Sequence, residues 1–262
     1  APPGGEPAHT LVDDTCKGWP ATRPPTSLGE LRAFGLNPLR QELLLPLAVL
    51  KEPALDNNAR WMRAFLDATG ALIAPHGMTS MSPELFLRQL DDGAWGITVA
   101  DRLGNSGVDG AQVLLRCGCY LTHDAAVYAG AHAHVRRRLA STHRVAGELV
   151  PALEVLAVVL SRPEPTRAIL GVGKRDVGAD LGPPVVRAFS RGGEEPVPLL
   201  GHEVVELNDQ HAHVRLPADS ALKVGDVVVL GISHPCTTFD KGRVLFTVDE
   251  RYRVVGAVQT FF

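Results

Sequence analysis

Residues 71–84 read Ala71-Leu72-Ile73-Ala74-Pro75-His76-Gly77-Met78-Thr79-Ser80-Met81-Ser82-Pro83-Glu84. A short apolar run ends at a proline, and a turn of small and polar residues follows. Ser82-Pro83-Glu84 then opens a helix, with proline in its first turn behind a serine that can cap it. Upstream, Pro46–Leu50 reads as a buried strand, and Pro53–Ala68 has helical spacing. That helix puts Leu55, Trp61, Met62, Phe65 and Leu66 on one face and stops at Gly70. Downstream, Leu85–Leu90 continues the second helix to Gly93, and Gly96–Ala100 reads as a third strand. The order is β-α-β-α-β with short turns, which predicts parallel strands joined by right-handed crossovers.

The chain has 262 residues, with 26 basic and 29 acidic side chains and a net charge of −3. Hydrophobic residues make up 45% and charged residues 21%, the balance of a packed chain rather than a disordered one. Without a Lys/Arg-rich block there is no footprint for nucleic acid. The longest apolar runs, Leu43–Leu50 and Val155–Leu160, fall far short of the ~20 residues that cross a bilayer. Four cysteines (Cys16, Cys117, Cys119, Cys236) make no disulfide scaffold, so the expected compartment is the cytoplasm. The proline-rich start, Ala1–Pro25, has no apolar core and is not read as a secretory signal.

From Val113 the pattern turns to strands: Val113–Arg116, Ala152–Ser161, Ala168–Gly171, Val185–Ser190, Glu203–Leu207, His213–Leu216, Asp226–Gly231, Val244–Val248 and Arg253–Phe261. The fold class expected is α/β plus β: a partial (β/α) barrel-like parallel unit with a C-terminal antiparallel β domain. The expected division is 1–37 as irregular lead-in, 38–128 as barrel portion and 129–262 as β domain, whose first strand the lead-in could supply. A short helix near Ser27–Phe34, stopped by Gly35, breaks the lead-in.

Several short segments carry chemistry. In Ser233-His234-Pro235-Cys236-Thr237-Thr238-Phe239-Asp240, an extended backbone would turn His234 and Cys236 to one side, and an imidazole with a thiolate suits zinc. A buried cysteine beside a hydrogen-bonded histidine is the plainer reading. His76 follows the second parallel strand, where α/β folds bind ligands, although a structural histidine is the commoner case. Cys117-x-Cys119 is open to a soft-metal pair or a simple turn, and Tyr120, His123 and Asp124 to a polar cluster. Gly118 permits close approach by a phosphate. Gly173–Asp176 and Leu207–His211 read as solvated turns, and His132, His134 and His143 with Arg136–Arg138 as a solvated helix face.

Taken in order, these segments resemble the alanine-racemase-type pyridoxal phosphate enzymes. The match is closest to the D-threonine aldolase, D-serine dehydratase and amino-acid deaminase branch. Ala74–Met81 looks like that branch's lysine segment. Arg116–Asp124, Ser161–Glu164, Gly173–Asp176, Leu207–His211, Gly231–Asp240 and the Thr-Phe-Phe end look like its later segments. The resemblance implies a (β/α)₈ barrel carrying pyridoxal phosphate on a lysine, beside a β domain that contributes zinc. It places His76, Gly118 and Tyr120 at the cofactor, His234 and Cys236 on the metal, and His211 nearby in support. Cysteine at the second metal position looks like the dehydratase type rather than the aldolase type. The implied activity is a lyase or deaminase acting on small β-hydroxy D-amino acids such as D-serine or D-threonine. The implied assembly is a homodimer, or association with a full-length relative.

Two departures stand out. The family's Schiff-base lysine position is Met78, and a thioether cannot form an imine. None of the five lysines (Lys17, Lys51, Lys174, Lys223, Lys241) falls in an equivalent loop. A (β/α)₈ barrel takes about 250 residues, yet Leu45–Tyr120 is only 76 residues long. The mid-barrel and its phosphate loops are missing. The expectation is weak or absent catalysis; the alternative is a non-catalytic metal-binding or dimerisation module.

Overall fold

The computed structural model describes residues 11–97, 114–139 and 145–262. In chain order the elements are β1 (Leu11–Val12), β2 (Thr26–Ser27), α1 (Leu31–Phe34), β3 (Leu47–Lys51), α2 (Glu52–Thr69), β4 (Leu72–Ile73), α3 (Pro83–Asp91), β5 (Leu114–Leu115) and α4 (Val127–Leu139). The β-rich part follows as β6 (Leu153–Glu164), β7 (Arg167–Leu170), β8 (Val185–Ser190), β9 (Val197–Pro198), β10 (Glu203–Leu207), β11 (Ala212–Arg215), β12 (Val227–Gly231), α5 (Cys236–Phe239), β13 (Val244–Val248) and β14 (Val254–Gln259).

The scaffold is a ten-stranded mixed sheet running β10-β11-β7-β6-β12-β8-β9, with β3, β13 and β14 joined to it beside β6. Its inner strands are apolar on both faces: every residue of β12 (Val-Val-Val-Leu-Gly) and β13 (Val-Leu-Phe-Thr-Val) is buried. Continuous apolar runs of this kind mark strands covered on both sides. β6 is the strand that bends the sheet. Its first half pairs with β3 and β12, while its second half passes to β7 through register shifts after Val159 and Ser161.

The expected fold class, a partial parallel unit with an antiparallel β part, is what the chain adopts. Its first strand lies elsewhere, however. β4 pairs in parallel with β5 (Leu72 with Leu114, Ile73 with Leu115), whereas β3 lies antiparallel to β6 and parallel to β13. Leu47, Val49 and Leu50 are all buried there. A five-residue apolar strand is better covered between β6 and β13 than beside the two residues of β4. The expected third strand, Gly96–Ala100, falls largely outside the described residues.

α2 matches its reading closely. It buries Ala54, Leu55, Ala59, Met62 and Leu66, and Gly70 in the left-handed region (φ 68°) stops it by donating to Leu66 O. Asn58, fully buried on the same face, donates to Leu121 O and Val150 O and accepts from Val150 N, each at 2.8 Å. One amide thereby ties α2 to the segment after β5 and to the segment before β6. α3 begins at Pro83 as expected, but Ser82 does not cap it; its hydroxyl donates to Glu84 instead. The described part of the lead-in, from residue 11, is packed. Val12, Trp19, Leu31, Leu36, Leu39 and Leu43 pack with Leu47, Phe246 and Val248 into a second core against the sheet.

Candidate functional site

Three loops meet beyond β4, β5 and β12. After β4, His76 ends the extended backbone, and its Nδ1 accepts from Met78 N–H (3.3 Å) at the head of a 3-10 turn, Gly77–Thr79. Met78 is 55% exposed, while Thr79 and Ser80 are buried. After β5, the turn Gly118–Tyr120 lies directly on that loop. A Cβ built at Gly118 would stand 2.3 Å from Thr79 Oγ1 and 2.5 Å from His76 O. Only a residue without a side chain permits this approach. Tyr120 is buried and turned toward α3, where it hydrogen-bonds Gln89; burial raises its phenol pKa well above the ordinary value.

The third loop follows β12. Pro235 is helical (φ −60°, ψ −48°) and heads the short α5. His234 and Cys236 are therefore joined through a turn, not along the extended backbone assumed from the sequence, because proline's fixed φ suits a helix start. Their side chains still meet by hydrogen bond. His234 Nδ1 lies 2.6 Å from Asp180 Oδ2, and Thr237 Oγ1 donates to Asp180 Oδ1 at 2.7 Å. Partial burial alone would lower the His234 pKa. The bonds to Asp180 and Cys236, with the charges on both, outweigh it and raise the pKa.

Of the two readings open for Cys117-x-Cys119, the structure takes the turn and not the pair. Cys117 is exposed, and Cys119 instead hydrogen-bonds Cys236. Thr79 Oγ1 lies 3.8 Å from Cys119 Sγ, and the Tyr128 hydroxyl bonds the same thiol. The pair divides one proton unequally. The Cys119 hydrogen bond pulls Cys236 down to about 6 against the effect of burial, helped by His234. Donating that bond, with burial and the Cys236 charge, drives Cys119 far above the usual thiol range. Of the two thiols, Cys236 is the one whose ionisation the site favours.

Other sequence candidates go elsewhere. Tyr120, His123 and Asp124 do not form one cluster. Asp124, fully buried, accepts from the N–H groups of Ala126 (2.7 Å), Tyr128 (3.0 Å) and Ala129 (3.4 Å) and so caps α4. His123 is buried edge-on to His132, which itself stacks edge-on to Trp61, so His132 is not on a solvated face. His211 is exposed in the β10–β11 turn, where its carbonyl accepts from Asn208 N–H. The backbone of that turn lies against Gly173, while Asn208 to His211 stay exposed, as a solvated turn should be. Among the lysines, Lys17 pairs with Asp176, Lys51 with Glu154 and Lys241 with Asp240, while Lys174 and Lys223 are exposed. Among the described residues, no group of three or more His, Cys, Asp and Glu side chains is placed to hold a metal ion. No described helix is long and apolar enough to cross a membrane. Thr79 and Thr237 lie inside the segments singled out above but had no role assigned there, and Asp180 and Tyr128 lie in none of the singled-out motifs.

The family model described as "Putative serine dehydratase domain" matches residues 152–248. A D-threonine aldolase of Arthrobacter sp is 37% identical over 90 residues, 34% of this chain and 21% of that enzyme. The match thus spans about a fifth of that relative's length. D-threonine aldolase from Filomicrobium marinum superposes with a TM-score of 0.63 at 13% identity, over 83% of this chain and 95% of that one. D-threo-3-hydroxyaspartate dehydratase from Delftia sp. HT23 gives 0.60 at 13% identity, over 85% and 99%. An alanine-racemase-like protein from Idiomarina loihiensis gives 0.58 at 10%, over 82% and 96%. A cysteine-to-alanine variant of the dehydratase is described in a metal-free form. At these identities the structural likeness concerns the fold, and the family-model match falls on the β-rich part.

Proposed function

We propose, for a chain that carries a serine-dehydratase-type domain in the fold of the D-threonine aldolases, that the metal half of the ancestral site is kept and the Schiff-base half is lost. The observation that carries this reading is the chain Cys236–His234–Asp180 standing beside a loop whose position 78 bears a thioether. Pyridoxal phosphate does not fit. No amine is available at the His76–Ser80 loop, and the strip beside Gly118 that would accept a phosphate is filled by Thr79 and the His76 carbonyl. No step through that cofactor follows.

Zinc does fit the donor chemistry. A thiolate and an imidazole backed by a carboxylate are the groups a zinc ion takes. His234 and Cys236 would hold it, and bound zinc would polarise a substrate hydroxyl. The residues themselves favour ionisation of Cys236, orient His234 and cover the Cys236 sulfur with Thr79 and Cys119. By this reading D-serine and D-threonine lyase activity is weak or absent.

The alternative, a metal-binding or dimerisation module with no reaction, is favoured by the apolar side chains left open near the reduced barrel: Met78, Leu87 and Trp95 are 55%, 56% and 68% exposed. One set of measurements tests the proposal: zinc content, intact mass after pyridoxal phosphate and borohydride, and turnover of D-serine and D-threonine. Bound zinc with no adduct and no turnover is expected. A covalent adduct with turnover would overturn it.

A further inference from the structure

We infer that Asp180 is the positioning residue that sets the His234 ring for a metal ion, with Thr237 holding Asp180 in turn. The inference rests on the metal site proposed above and extends it to residues outside the His234/Cys236 pair. A carboxylate only accepts hydrogen bonds, so the nitrogen facing Asp180 Oδ2 at 2.6 Å carries the ring proton. In the neutral ring the lone pair is then on Nε2, and Nε2 is the donor left for a metal. The other carboxylate oxygen takes the Thr237 hydroxyl at 2.7 Å, so Asp180 has no free oxygen about which to swing.

The loop bearing Asp180 is strapped to the His234 segment on both sides. Gly178 N–H donates to Thr238 Oγ1 at 3.1 Å, and Ser233 Oγ donates to Gly182 O at 2.7 Å. A Cβ at Gly178 would stand 2.1 Å from Thr237 Oγ1, so the two segments touch with no room for a side chain. Asp180 is half exposed, which makes the pair a poor source of stability. Its geometric effect, one tautomer and one ring orientation, is what a metal ligand needs; carboxylate partners of ligating histidines act in this way.

The test uses the full chain freed of metal by a chelator. Zinc affinity is read by competition with a chromophoric chelator, and the His234 tautomer by ¹⁵N NMR of the metal-free chain. The variants are Asp180→Ala, Asp180→Asn and Thr237→Val, with His234→Ala as the reference for a lost site. Asp180→Ala should weaken zinc binding about 10–100-fold at a near-unchanged melting temperature, and should shift the ¹⁵N resonance of Nδ1, the nitrogen whose proton Asp180 accepts in the wild type. Asp180→Asn should fall between, because its carbonyl still accepts from Nδ1–H, and Thr237→Val should lose less than Asp180→Ala. Affinity within twofold of wild type for Asp180→Ala, while His234→Ala abolishes binding, would overturn the role of Asp180 and leave the metal site standing. A wild type that binds zinc no better than His234→Ala would remove both.

Discussion

Gly118→Ala tests the contact on which the site depends. The added Cβ would lie 2.3 Å from Thr79 Oγ1 and 2.5 Å from His76 O, both inside the range that real Cβ atoms keep clear. Thr79 could rotate away, at the loss of its contact with Cys119, but the His76 carbonyl is main chain and moves only with its loop. Overpacking of this kind costs about 1–3 kcal/mol. At about 2–4 °C per kcal/mol for a chain of this size, the melting temperature should fall by about 2–12 °C. The displaced loop also uncovers the thiols, so Cys119 and Cys236 should react faster with a disulfide reagent. Gly130 is the control. It lies in α4 with nothing within 4 Å of a built Cβ, so Gly130→Ala should be neutral or stabilising by up to about 1 kcal/mol. If Gly118→Ala matched this control in both melting and thiol reactivity, the loops would not be in contact and the site as described would be wrong.

Three further outcomes are expected. On the reading proposed above, Met78→Lys supplies an amine but not the phosphate loops, so no D-serine turnover should appear; appreciable turnover would refute that reading. His123 is buried, and desolvation, opposed by Asp124 and reinforced by His132, holds its pKa below the ordinary 6.5. The unfolded chain therefore takes the proton first as pH falls below that value, and native stability should decline on acidification. His123 has positive φ (47°), which asparagine tolerates, so His123→Asn should flatten the pH dependence of melting, and an unaltered slope would count against this origin. Tyr252 donates to the buried Glu154 carboxylate at 2.7 Å, with Lys51 3.9 Å from its other oxygen. Tyr252→Phe should cost about 1.5–3 kcal/mol in urea unfolding; a loss near zero would mean that Lys51 alone satisfies the carboxylate.

The sequence by itself determined the local elements and the chemical types at the site. α2 and its stop at Gly70, α3 behind Ser82-Pro83, and the strands around Val185–Ser190, Glu203–Leu207 and Val244–Val248 were legible because periodicity and helix stops involve neighbours only a few residues apart. The thioether at 78 and the His234/Cys236 pair were legible as chemistry, needing no coordinates. The tertiary structure decided which of these groups meet. Asp180 reaches His234 across 54 positions, and Tyr252 reaches Glu154 across 98. β3 leaves β4 for the large sheet, and Cys119 pairs with Cys236 rather than with Cys117. Such contacts follow from which faces can be buried together. That is a property of the whole packed chain, and no window of sequence contains it.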